Sequence, residues 1–344
     1  MGTPFIAHLP PQDVLHRYDK TKPHTAQAPV IPKTFLDAMS VRESVYVSEQ
    51  QVPLENEFDS DDPRSCHWVI YASVNKTEAP AVVSPSSGEV LRPRRSTHIS
   101  LPIGTIRLVP FPHPPHPKNG GVYVDGELTN AGDPIPASPP SLPATVTAAA
   151  AADQQFPFQT STTTTITTTT TNGNSNTSPS SPDGPPETVD PLTLSESMRA
   201  STPSYLPFAT DRRTSLHDGQ EPYVKLGRLA VLKEFRRAGI AGQLVRAATQ
   251  WMQENYVIFN PRPSTVGFER LGMDERNGVL PKWRGLICVH AQEAAVPMWE
   301  RYGFEVDHEM GTWYEEGIPH VGMFRRVKVG DGGHVEFGST GTDL

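Results

Sequence analysis

Leu229-Ala230-Val231-Leu232-Lys233-Glu234-Phe235-Arg236-Arg237-Ala238-Gly239-Ile240-Ala241-Gly242 is the stretch on which the reading of this chain turns. Its apolar start continues from Tyr223-Val224-Lys225-Leu226-Gly227-Arg228 and reads as a strand. Its end opens a helix running to about Asn255, with Ile240, Leu244, Val245, Ala248 and Met252 on one face. A helix N-terminus offers N–H groups without intrahelical partners at the positive end of the helix dipole, and so suits phosphate oxygens. Small residues at 238, 239, 241 and 242 let the backbone approach a ligand closely. Two nucleotide motifs fail here. A P-loop needs Gly-Lys followed by Ser or Thr, whereas Gln243 follows Gly242; a dinucleotide fingerprint needs three glycines, of which Gly239 and Gly242 supply only part.

Working outward, Phe5-Ile6-Ala7-His8-Leu9 has strand character, and Thr34 with Asp37 three residues on forms a capping box for a helix ending near Glu49-Gln50-Gln51, before Pro53. An acidic loop follows at 54–64, then a strand at His67–Ala72, a polar connection at 75–97 and a strand at Ile103–Val109. Residues 111–220 lose all core periodicity: His113-Pro114-Pro115-His116-Pro117, an alanine run and a nearly pure threonine tract from Ser161 to Thr171 read as a disordered insertion. After the central stretch come an irregular segment at 257–284, a strand at Leu286–His290, a helix from Gln292 to Arg301, and strands at Phe304–Val306 and His320–Phe324. The tail from 330 to 344 is Gly-rich. Residues 1–110 and 221–329 thus form two parts of one α/β domain, interrupted by the insertion.

The net charge of −8 argues against a bulk nucleic-acid binder, which needs a basic face. The 36 prolines sit mostly in the first two-thirds of the chain, leaving about 200 residues to build a single core. Cys66 and Cys288 have no metal spacing and read as reduced, buried thiols, so no metal is expected. The N-terminus lacks a basic region followed by an apolar run, and no run is long enough to span a bilayer. The expectation is a cytoplasmic protein, with the nucleus as the alternative.

Arg236-x-x-Gly239-x-Ala241 after an apolar strand resembles the pyrophosphate-binding turn of the GNAT superfamily of N-acetyltransferases. Three other segments resemble the same family in the expected order. They are Val41-Arg42 through His67, Val289-His290-Ala291-Gln292 with Trp299-Glu300-Arg301-Tyr302-Gly303-Phe304, and Glu315-Glu316-Gly317-Ile318-Pro319-His320 with Met323. The last resembles the ending of a small-molecule branch. The resemblance implies a mixed, mostly antiparallel central sheet flanked by helices, with acetyl-CoA as co-substrate. It implies that Leu229, Ala230 and Val231 contact the pantetheine, while Arg236, Arg237, Ala238, Gly239, Ile240, Ala241 and Gly242 hold the pyrophosphate. A homodimer is common in the superfamily and is expected on that ground alone. One departure stands out: Trp299, assigned to the cofactor side, occupies the place of a tyrosine that protonates the departing thiolate, and an indole N–H is no useful acid.

The family's mechanism implies direct attack of a neutral amine on the thioester, with the oxyanion held by a backbone N–H of the 229–231 strand. An ammonium of pKa about 10.4 costs roughly 4–5 kcal/mol to deprotonate at pH 7, so a base is required. The candidates for that role are Glu49, His290, Glu316 and His320, with Glu55, Asp59 and Tyr302 contacting the acceptor. The ending and the acidic loop favour a small-molecule amine, such as the aminosugar glucosamine. A protein lysine or N-terminus, and a non-catalytic acyl-CoA-binding module, are the alternatives.

Overall fold

Residues 5–79, 82–83, 90–93, 95–130, 211–260 and 282–330 are described by the computed structural model of the chain. In chain order the elements are β1 (Phe5–Leu9), α1 (Lys33–Arg42), β2 (Cys66–Ala79), β3 (Val82–Val83), β4 (Val90–Arg92), β5 (Arg95–Val109), β6 (Val122–Val124) and β7 (Glu127–Leu128). They continue with β8 (Val224–Val231), α2 (Ile240–Glu254), β9 (Leu286–Gln292), α3 (Val296–Glu300), β10 (Glu305–Val306), β11 (Thr312–Glu315) and β12 (Ile318–Arg326). The main sheet runs β1-β2-β5-β8-β9-β12-β11-β6-β7, with β10 also on β12; β3 and β4 form a separate ladder. Among these ladders β8/β9 and β11/β6 are parallel and the rest antiparallel, the mixed, mostly antiparallel sheet expected.

Period-two alternation gives the sheet two covered faces. Trp68, Ile70, Ile106, Leu226, Ile287 and Val289 meet Ile240, Leu244, Val245, Ala248 and Met252 of α2, together with Trp299 and Phe304. On the other face Val69 and Tyr71 take Ala38 of α1, and Cys288, Trp313, Phe324 and Tyr223 form a second cluster. Burying each large apolar side chain of this kind contributes about 1.5–3 kcal/mol.

The structure corrects several boundaries. Helix α1 starts behind Pro32 with no side-chain cap, and Asp37 accepts from the Tyr71 hydroxyl at 2.8 Å instead of closing a capping box on Thr34. Beyond Arg42 the helix widens through Glu43–Glu49, where the N–H of Gln50 reaches the carbonyl of Val45. The 75–97 connection is largely strand, since β2 and β5 stay paired out to Ala79 and Arg95. The helix expected from Gln292 to Arg301 is shorter, α3 preceded by a tight turn at Glu293–Ala295. Strand β11 joins β12 through a two-residue turn in which Glu316 and Gly317 both have positive φ, 51° and 77°.

The expected insertion is also narrower than 111–220. Residues 111–130 and 211–220 are folded: His113, His116, Thr214 and His217 are buried, and β6 pairs with β11. These segments lack hydrophobic periodicity because arginines hold them by their carbonyls. Arg64 donates to Pro110 O (2.7 Å) and Pro112 O (2.9 Å), and Arg212 donates to Pro117 O (2.8 Å). Residues 131–210, including the threonine tract, lie outside the described residues, as do 261–281 and the tail at 331–344. Among the described residues no helix is long and apolar enough to cross a membrane.

Candidate active site

Strands β8 and β9 pair in parallel at Val224↔Ile287, Lys225↔Cys288 and Leu226↔Val289, and then part. Each keeps its outer partner beyond that point: β8 stays on β5 as far as Val231↔Gly104, and β9 stays on β12 as far as Gln292↔His320. A gap therefore opens between Gly227–Val231 on one side and His290–Gln292 on the other, with the facing backbone edges unpaired by each other. An extended ligand can add to such an edge through main-chain hydrogen bonds.

The edge of β8 is re-aimed by a bulge. Between Thr105↔Ala230 and Arg107↔Gly227, β8 spends three steps where β5 spends two, and Arg228 takes up the extra residue with φ 47°. Side-chain parity switches across it. Val224 and Leu226 face α2 before the bulge, Leu229 and Val231 do so after it, and Ala230 packs with Val41 and Val45 on the α1 side. The Leu232 N–H reaches Ile103 O on β5 at 2.9 Å, so by alternation the backbone groups of Leu229 and Val231 point into the gap. There the Leu229 carbonyl accepts from the Tyr46 hydroxyl (3.0 Å) and the Val231 carbonyl from Arg236 Nε (2.9 Å). The N–H groups of Leu229 and Val231 are the donors left to meet a ligand carbonyl.

The chain leaves β8 through a turn at Lys233–Phe235 and enters α2 at Gly239, whose φ of 76° suits glycine and which offers no side-chain cap. The first-turn N–H groups of α2 are thereby left without a side-chain cap. Gly242 is needed for space: a Cβ there would come 2.2 Å from the Tyr302 hydroxyl oxygen. Tyr302 thus stands against the first turn of α2, beside Gly242. Arg236 also grips Glu49 with both carboxylate oxygens, at 2.9 and 2.7 Å. Trp299 is buried at 4% exposure and packs edge-on against Phe304 in the core.

The acidic loop is not a free anionic patch. Arg42 pairs with Glu57 and Asp62, Arg107 with Asp59 and Asp62, Arg64 with Asp61, and Arg228 with Asp59 and Glu57. Four arginines answer four carboxylates. Burial opposes the charge on Asp59 and Asp62, yet the neighbouring guanidinium groups hold both carboxyls below their ordinary range. Asp59 is therefore a brace for the bulge residue Arg228, while Glu55 remains exposed on the loop.

On the face away from α2, antiparallel register brings His290, Gln292 and His320 together, opposite Gly322 and each other. His290 Nδ1 lies 3.1 Å from Glu315 Oε1, the same oxygen that accepts from Trp313 Nε1 at 2.8 Å. Burial, then the Lys225 charge, holds His290 near 4 and so neutral at pH 7. Glu315 is held well below its usual range: burial works against this, but His320 and the hydrogen bonds from His290 and Trp313 outweigh it. A neutral His290 donates from Nδ1 to the carboxylate and carries its lone pair on Nε2. His320 is fixed by Nδ1 donating to Ile318 O (2.8 Å). Gln292 and Gln50 exchange amide hydrogen bonds at 2.9 and 3.1 Å, joining β9 to the end of the α1 helix. Glu316 accepts from Asn56 Nδ2 (3.0 Å) and the Asp125 N–H (2.7 Å), which makes it a tie between the loop, β6 and the β11–β12 turn.

Burial pushes the Cys288 thiol up to about 12, which leaves it unreactive as a nucleophile. Sequence reasoning passed over Tyr46, Gln50, Arg228, Gln292 and Glu315. Tyr46, Gln50, Gln292 and Glu315 all lay within runs that carried the resemblance, yet nothing in their spacing marked them out.

The family model described as Acetyltransferase (GNAT) family matches residues 209–273, which include β8, the turn and α2. A search among curated proteins finds no match. Among solved structures, an acyl-CoA N-acyltransferase from Pseudomonas aeruginosa is 13% identical, with 94% of this chain and 99% of that chain covered and a TM-score of 0.34. ElaA of Escherichia coli is 11% identical, with 94% and 100% covered and a TM-score of 0.36.

Proposed function

We propose that this chain is an acyltransferase of the GNAT superfamily, whose family model matches residues 209–273, and that it moves the acetyl group of acetyl-CoA to the primary amine of a small molecule. The observation that carries the reading is the bulged, parted edge of β8 running directly into the uncapped N-terminus of α2. The edge takes the pantetheine arm as an added strand, and the turn takes the pyrophosphate.

In the reaction the amine nitrogen attacks the thioester carbonyl carbon, the C–S bond breaks, and the oxyanion rests on the N–H groups of Leu229 and Val231. His290 accepts the amine proton at Nε2, oriented by Glu315 through Nδ1. Tyr46 supplies the phenol that Trp299 cannot: burial raises its pKa and keeps it protonated, so its O–H, which rests on the Leu229 carbonyl, steadies the departing thiolate as a hydrogen-bond donor while the thiolate takes its proton from solvent. Glu49 serves to position Arg236 rather than to take a proton.

The acceptor side is lined by Gln50, Gln292, His290 and His320, and the loop carboxylates are already neutralised. That lining suits a hydroxyl-bearing amine over a polycation, and an aminosugar such as glucosamine is the first acceptor to try.

The test is release of free CoA from acetyl-CoA in the presence of glucosamine, its 6-phosphate, polyamines, arylamines and basic peptides. Turnover on an aminosugar, with kcat lowered at least tenfold in His290→Gln and Tyr46→Phe, is the expected result. Turnover confined to polyamines or peptides would replace the acceptor class. Acetyl-CoA binding without turnover on any amine would replace the enzyme by a binding module.

A further inference from the structure

The segment His113-Pro114-Pro115-His116-Pro117 sits against Tyr223 and the chain that returns at residue 211. There His116, Asp211 and His217 bring one imidazole or carboxylate atom each within 4.8 Å of the others. His116 is 95 positions from Asp211 and 101 from His217.

The hydrogen-bond pattern fixes where the lone pairs point. His217 Nε2 lies 2.9 Å from the Glu221 carbonyl, which can only accept, so Nε2 carries the proton and Nδ1 is bare in the neutral ring. His217 Nδ1 lies 2.9 Å from His116 Nε2, which must then supply the proton between them. That leaves His116 Nδ1 bare as well. It has no hydrogen-bond partner and faces Asp211 Oδ2 at 3.4 Å, with the two side chains 0% and 8% exposed. A lone pair facing a carboxylate in a dry site is repulsive unless a positive centre lies among these groups.

The surroundings hold the three groups rigid. The His116 ring lies along Tyr223 (centroids 5.6 Å apart, 25° between planes) and the His217 ring along Phe324 (5.8 Å, 19°). The Asp211 carboxylate accepts from the His116 N–H at 2.8 Å and the Arg212 N–H at 2.7 Å. Outer hydrogen bonds of this sort, above all His217 Nε2 to a backbone carbonyl, are what orient imidazoles that bind metals.

We propose that His116, Asp211 and His217 form a structural site for a divalent transition-metal ion of the zinc type, tying the chain before residue 131 to the chain after residue 210. Two imidazole ligands without thiolate, one of them backed by a carboxylate at its second nitrogen, suit zinc or cobalt and disfavour calcium and magnesium. Tetrahedral ligands at zinc stand about 3.3 Å apart, so the His116–His217 contact opens by a few tenths of an ångström on binding. The ion takes the place of the proton between His116 Nε2 and His217 Nδ1; that proton passes to His116 Nδ1, where Asp211 Oδ2 accepts it, and the Glu221 bond to His217 stays intact.

The test uses the full chain purified without chelators or a nickel column. About one zinc ion per chain by mass spectrometry is expected, with a Tm that rises by several degrees on adding zinc and falls with a strong chelator. Cobalt(II) should give visible d–d absorption of a four-coordinate nitrogen–oxygen site, lost in His217→Gln and His116→Gln. If those variants fail to fold, the wild-type metal content, Tm response and cobalt spectrum still decide. Wild-type protein that takes up only traces of zinc, with a Tm indifferent to zinc and chelator, overturns the proposal and leaves a proton-sharing cluster in its place.

Discussion

Arg228 reaches across 169 positions of sequence to Asp59, Nη2 to Oδ2 at 3.0 Å, and its Nε lies 3.3 Å from Glu57. The residue that makes the bulge in β8 is therefore held by the loop that the sequence suggested for attracting a cationic acceptor. Clamp and conformation can be separated by substitution. Arg228→Gly loses the clamp but gains a backbone at ease with φ 47°; Arg228→Ala loses the clamp and keeps the Cβ that makes this φ costly. The alanine variant should be less stable than the glycine variant by about 1 kcal/mol. Both should bind acetyl-CoA more weakly than wild type. Equal stability of the two in urea unfolding would mean that the left-handed conformation carries no strain.

The bidentate pair between Arg236 and Glu49 assigns the two residues to one job. Arg236→Ala should raise KM for acetyl-CoA about tenfold, a loss of roughly 1.4 kcal/mol, with little change in kcat. Glu49→Gln should leave kcat within a few-fold of wild type. Loss of a general base costs 10²–10⁴ in rate, on the order of 3–5 kcal/mol, so a drop of that size in Glu49→Gln would return Glu49 to the catalytic role.

Gly242 and Tyr302 form a steric pair at the first turn of α2. Gly242→Ala sets a methyl 2.2 Å from the hydroxyl oxygen and 3.0 Å from the ring carbon bearing it. It should weaken acetyl-CoA binding and lower Tm. Adding Tyr302→Phe removes the closer clash and should recover part of both losses. Strict additivity of the two substitutions in a double-mutant cycle would show that the contact is not what forbids a side chain at 242.

Stability should fall with pH earlier than carboxylates alone would cause. Burial, joined at His8 by the charge of His67, holds His8 and His67 near 4, and burial and Lys225 hold His290 near 4. Their unfolded values are near 6.5. Between those limits the unfolded chain binds protons that the native one refuses, so stability is complete above about 6.5 and declines as pH drops through the window. The loss is roughly 1 kcal/mol per histidine at pH 5.5. Asp59 and Asp62 have depressed pKa values, and their contribution is lost only as pH falls below the unfolded carboxylate value of about 3.9. A Tm that stays level from pH 7 to 5 would contradict these buried, neutral histidines.

The strand, turn and helix from Leu229 to Gly242 were legible because the apolar strand run and the small residues at the helix entry lie together in one continuous stretch. The α2 face was legible from its period alone. Strand β11 was not, since Thr312-Trp313-Tyr314-Glu315 is short and a turn with positive φ at Glu316 is uncommon without Asn or Gly there. The packing of residues 111–130 was hidden for another reason: Arg64 and Arg212 hold it by proline carbonyls, and hydrogen bonds to backbone leave no mark in side-chain pattern. The acidic loop misled because Arg42, Arg107 and Arg228 lie 15, 45 and 169 positions from carboxylates they bind.

The extra residue at Arg228 means that β8 is read in two frames. Up to Leu226 the even positions lie under α2, and from Leu229 the odd ones do. Removing one residue at 227 or 228 would merge the frames. Leu229 and Val231 would stay toward α2 and Ala230 toward α1 in one unbroken alternation, but the bend that the extra residue puts into β8 would be lost and its parted edge drawn back toward β9. Length at this point is thus a constraint of its own: the count from Leu226 to Leu229 cannot change without narrowing the gap between β8 and β9.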